Sequence, residues 1–189
     1  MNKTNRIIVA IALASSTLSG AAVVANHHKM ANPMVGGAEM FAAKTIAENA
    51  SAAPNLTTLV AAVKAAGLVD TLASPGPFTV FAPTNTAFEK LPEGTVGTLV
   101  KPENKATLTT VLTYHVVAGK LTSKDIVAAI KAGGGKASLT TVAGAKLSAR
   151  LSGNSVVITD GKGGQSAVTT VDVMQSNGVV HVIDSVLLP

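Results

Sequence analysis

The chain changes its local pattern once, near Lys136, and that change limits what it can fold into. Before it, segments open on Thr, Ser or Pro, carry apolar residues at helical spacing and close on glycine. After it, "KASLTTVAG", "AKLSARLSG", "SVVITD" and "SAVTTVDVMQSNGVVHVIDSVLLP" are short β-rich runs broken by glycines. Helix-forming segments come first and strand-forming segments last, with one early strand, "FTVFAP", among the helices. This order predicts an α+β fold with helices packed against a largely antiparallel sheet assembly.

The individual signals are local. "KTIAENAS" reads as a short helix. In "NLTTLVAAVKAAGLVDTL", Leu56, Leu59, Val60, Val63 and Leu68 recur every three to five residues, and Gly67 supplies a stop. "TNTAFEKL" reads as a helix entered from a Thr or Asn cap, and "TSKDIVAAIKAGGG" runs from cap to glycine stop. Leu108, Val111 and Leu112 lead into a strand-like "YHVV". The Asn177-Gly178 pair predicts a hairpin.

Residues 1–25 have the form of a secretory signal. Lys3 and Arg6 precede the apolar run "IIVAIALA", and Val23 and Ala25 stand where a signal peptidase would inspect them. The run is too short to span a bilayer, and no second run of membrane length follows. The expectation is export to the periplasm or the medium, with no membrane span in the mature chain. Without cysteine, no disulfide can form. Removing the signal leaves a net charge of about +3, spread thinly. Tryptophan is absent and tyrosine occurs once, so neither a basic patch nor a stacking platform for nucleic acid is visible.

Residues 26–41 lack a clean period and read as a flexible arm. His27, His28, Met30, Met34 and Met40 offer imidazole and thioether groups, a set that suits copper. An arm that binds metal is therefore the alternative reading, against a linker rich in small residues.

The core-pattern histidines pose a sharper question, because burying an ionisable ring costs free energy unless its nitrogens are bonded. Period two puts Val179, His181 and Ile183 on one strand face and Val180, Val182 and Asp184 on the other. Both faces are mostly apolar, which favours a strand near the sheet centre with His181 as a structural strut. Tyr114 and His115 read either as a core anchor with the hydroxyl bonded to backbone, or, with Val116 and Val117, as a recognition surface. No serine or threonine lies in a nucleophile-elbow pattern, and "AGGGK" and "DGKGGQS" do not match a phosphate loop. No catalytic residue and no cofactor are expected.

Three stretches in order, "FTVFAPTNTAF" (78–88), "TYHVVAGKL" (113–121) and "SNGVVHVIDSVLLP" (176–189), resemble the signature blocks of the fasciclin (FAS1) domain family, specifically its secreted single-domain bacterial members. The resemblance covers residues 42–189. It implies a β-wedge or sandwich with helices packed along it, and a non-enzymatic module of cell adhesion or surface association. The implied partner is a cell-surface or matrix protein, a polysaccharide, or a second copy of the chain. Carried onto this sequence, the central block places binding on Tyr114, His115, Val116 and Val117. Thr84 and Asn85 match helix-capping positions of the first block, and His181 and Asp184 match the last.

Overall fold

The computed structural model describes residues 32–92 and 94–189. Strands β1 (Met34–Val35) and β2 (Ala38–Glu39) form a small antiparallel hairpin. Helix α1 (Ile46–Ala52) starts at Thr45, whose hydroxyl accepts the Glu48 N–H while the Glu48 carboxylate accepts the Thr45 N–H. Helix α2 (Thr57–Ala66) ends at Gly67, which takes a left-handed φ of 72° that a Cβ would disfavour. Helix α3 (Val69–Ala73) follows, then strand β3 (Phe78–Pro83). Helices α4 (Asn85–Glu89), α5 (Thr95–Leu99) and α6 (Lys105–Tyr114) lead to strand β4 (Val116–Ala118). Helix α7 (Ser123–Ala132) repeats the reciprocal cap, with Thr122 and Asp125. The remainder is strand: β5 (Lys136–Thr140), β6 (Lys146–Ser152), β7 (Ser155–Thr159), β8 (Gln165–Gln175) and β9 (Gly178–Ile183).

These strands form a seven-stranded sheet in the order β4-β3-β9-β8-β7-β6-β5. Only β3 and β9 pair in parallel; every other pairing is antiparallel. The sheet curls until its two edges meet, where Val117 bridges Thr141 and the Val142 N–H donates to the Val116 carbonyl at 2.7 Å. This near-closure covers edges that would otherwise expose unpaired backbone groups. The fold is α+β, a sheet wedge with helices along it.

Alternation along β3 and β9 divides the interior in two. Val80, Ala82, Val180 and Val182 face the helices, where Ile46, Leu59, Val63 and Leu112 pack on them. Phe81 and Ile183 face the inside of the curled sheet with Tyr114, Ile126, Ile130, Leu147 and Ile158. All six residues of β9 are buried, as expected for a central strand with two apolar faces.

The arm predicted over 26–41 is not loosely held where the structure describes it. Val35 and Met40 are buried in the helix-side core, and the Asn49 side chain bonds both backbone groups of Phe41. Two apolar anchors in an otherwise unpatterned segment suffice to dock it.

Candidate functional site

His181 lies in the middle of β9 with 1% of its surface exposed, stacked on Phe81 with ring centroids 5.7 Å apart. Its Nε2 is 2.8 Å from the Leu121 carbonyl, which can only accept, so Nε2 carries the hydrogen. Nδ1 is then free to accept the Asp172 N–H at 3.4 Å. Burial lowers the pKa of the ring, opposed by the Leu121 bond and the Asp172 charge. The neutral ring therefore acts as a hydrogen-bonding strut.

Leu121 is held from both sides. Its N–H donates to the Thr79 hydroxyl at 2.8 Å, and that hydroxyl donates in turn to the Gly119 carbonyl at 2.6 Å. Two residues further on, Asp172 holds the start of α7: the Ser123 N–H donates to its carboxylate at 2.6 Å, and the Ser123 hydroxyl donates to the other oxygen. Asp172 takes φ 56° at a break in the β8 register. Three neighbouring strands, β3, β9 and β8, thus fix the segment 119–123.

His115 closes α6 and is 2% exposed. The Leu187 N–H donates to its Nε2 at 3.0 Å, so the hydrogen is on Nδ1, which donates to the Val111 carbonyl at 2.8 Å. Burial depresses its pKa to about 4, against the Val111 bond and the Asp160 charge. Nearby, the Tyr114 hydroxyl accepts the Gly161 N–H at 2.8 Å, as the core-anchor reading predicts. Asp160 accepts the N–H groups of Lys162, Gly164 and Leu188. Tyr114, His115 and Val117 are buried, and of the four candidate binding residues only Val116 is half-exposed. Direct contact with a partner through the other three is prevented by their burial.

Thr84 caps α4 by accepting the Ala87 N–H. Asn85 caps a different helix: its Oδ1 accepts the Thr58 N–H at 3.0 Å, and its Nδ2 donates to the Thr57 hydroxyl and the Pro54 carbonyl. Asp184 accepts the Ala167 N–H at 2.8 Å and pairs with Lys90 at 3.4 Å. Desolvation pushes its pKa up, but the Ala167 bond and the Lys90 charge prevail and hold it below the usual range.

Two residues do more than the sequence pattern signals. Asn177 occupies the hairpin loop between β8 and β9, yet its side chain is a buried tie. It accepts the Ile46 N–H at 3.0 Å and donates to the carbonyls of Leu72 and Ser74 at 2.7 and 2.9 Å. Asn49, 1% exposed, links Phe41 to Gln175. Asn-Gly composition points to a turn; the spans of 103 to 131 residues bridged by Asn177 leave no local trace.

Of the proposed copper ligands, His27, His28 and Met30 lie outside the described residues. Met34 is 54% exposed, whereas Met40 is 2% exposed and enclosed by apolar neighbours. Core burial thus separates those two thioethers. Among the described residues no cluster of three or more His, Asp or Glu could hold a metal ion, and no helix is long and apolar enough to cross a membrane.

In this curled sheet wedge His115, His181, Asp160, Asp172 and Asp184 each bond a backbone group distant in sequence. The chain belongs to the fasciclin family: the family described as "Fasciclin domain" matches residues 54–189. It is 46% identical over 156 residues to protein sll1483 of Synechocystis sp., covering 82% of this chain and 79% of that one. It is 36% identical to the immunogenic protein MPB70 of Mycobacterium bovis, covering 99% and 98%. A FAS1 domain pair from the insect cell adhesion molecule fasciclin I superposes with a TM-score of 0.69 at 22% identity, over 77% of this chain and 51% of that one.

Proposed function

We propose that the protein is a non-enzymatic binding module, exported to the periplasm or the medium, that associates with a cell-surface or matrix protein, a polysaccharide or a second copy of itself. The observation that carries this reading is the use made of the ionisable core. Both described histidines are buried with both nitrogens bonded, His181 to Leu121 and Asp172 and His115 to Val111 and Leu187. A general base must reach a substrate proton, and neither ring does. What such a framework offers a partner is a rigid exterior, where recognition rests on a few apolar anchors within a polar rim.

Within this reading, Tyr114, His115 and Val117 act from inside, holding the α6–β4 junction that presents Val116. The test is attachment of the purified protein to cell envelopes, envelope polysaccharide and itself, compared between wild type, Val116→Asp and His115→Ala under conditions where all three stay folded. Attachment weakened by Val116→Asp and kept by His115→Ala is the expected result. Absence of attachment to all three surfaces overturns the reading.

A further inference from the structure

A cleft of about 90 Å³ lies between helices α1–α3 and the helix-facing side of β3, β8 and β9. Met40, Leu59, Val63, Val173 and Val180 are among the buried residues that line it. Its mouth is flanked by Val60, Leu72, Phe78 and Val116, all only half-buried. Protein interiors are close-packed and seldom leave voids larger than one water. Water is a poor occupant here, because, apart from the solvent-exposed Thr71 and Lys64, the polar groups on the lining are engaged elsewhere. The Ser51 hydroxyl donates to the Ala47 carbonyl, the Thr113 hydroxyl to the Thr109 carbonyl, Asn49 bonds Phe41 and Gln175, and His115 has both nitrogens bonded.

Size and charge then narrow the ligand. A dry engineered cavity of about 150 Å³ accepts benzene; this smaller, open space suits a narrow alkyl chain that can leave through the mouth. Lys64, on the last turn of α2, is the sole charged side chain on the lining. It is exposed and makes no ion pair among the described residues. We propose that the cleft binds a single-chain carboxylate amphiphile, a fatty acid, with its alkyl chain among the valines and leucines and its head group at Lys64. Val116 borders both this mouth and the surface proposed for association, but Val60 and Lys64 belong to the cleft alone, so Val60→Trp and Lys64→Glu test this proposal apart from the surface-association reading.

The probe is 11-(dansylamino)undecanoic acid, whose fluorescence rises on entering an apolar site. With the purified protein, saturable binding of one probe per chain is expected, displaced by laurate and about twofold to fivefold less readily by methyl laurate. Val60→Trp, which plugs the mouth, should abolish binding with the melting temperature retained. Lys64→Glu, at an exposed position that does not threaten folding, should weaken laurate about threefold to tenfold and leave methyl laurate unchanged. The proposal is overturned by unsaturable binding, by binding that survives in a folded Val60→Trp protein, or by equal affinity for acid and ester.

Discussion

The Leu187 N–H donates to Nε2 of His115 across 72 positions of sequence, and this bond exists only while the ring is neutral. The ring titrates near 6.5 in the unfolded chain and near 4 in the folded one. Above pH 6.5 both states are neutral and the contribution to stability is complete. As the pH falls from 6.5 towards 4, the unfolded state takes up a proton that the folded state refuses, so stability declines and then levels off. The loss from this one group is about 3 kcal/mol. Urea midpoints measured from pH 7 to pH 4 should fall, and His115→Phe should flatten the fall. A residual slope is expected from His181, whose pKa is lowered in the same direction.

Asp172 combines a left-handed backbone with a cap on α7, and substitution separates the two. Asp172→Ala loses the cap and keeps the strained φ, for a cost of about 2 kcal/mol in thermal or urea unfolding. Asp172→Gly relieves the backbone and loses only the cap, so it should cost about half as much. Equal losses in the two variants would show that the positive φ carries no strain.

Asn177 tests whether a turn or a tie matters more. A residue needed only for its turn would accept glycine with little change. Here Asn177→Gly strands the Ile46 N–H and the Leu72 and Ser74 carbonyls, with an expected loss of about 3 kcal/mol, read from the urea midpoint.

What the sequence made legible follows the range of each interaction. Capping of α4 and α7 by Thr84 and Thr122 depends on residues three apart and was readable directly, whereas the same pattern at Thr45 of α1 was not singled out. The two faces of β9 were equally plain, since alternation is local. The helix served by Asn85 was not, because its partners Thr57 and Thr58 lie 28 and 27 residues away. Docking of Val35 and Met40 depends on a core assembled from distant helices and strands, and no period in residues 26–41 could signal it. The same holds for the apolar cleft, which is a property of packing between layers.

Two glycines should respond to alanine in opposite directions. Gly178 opens β9 opposite Phe78, in the only parallel pairing of the large sheet. A Cβ there would overlap the Phe78 carbonyl oxygen, and the obstacle is backbone, which cannot turn aside. Because β3 belongs to the helical half of the sequence and β9 to the strand half, separating them opens both cores at once. Gly178→Ala should therefore cost about 3 kcal/mol or more. Gly97, inside α5, has no atom within 4 Å of an added Cβ and no positive φ. Gly97→Ala should raise stability by about 0.5–1 kcal/mol, through helix propensity and a less flexible unfolded chain. Urea unfolding of both variants beside wild type reads the two signs in one experiment, and a stable Gly178→Ala protein would mean that β3 and β9 tolerate a wider separation than their register implies.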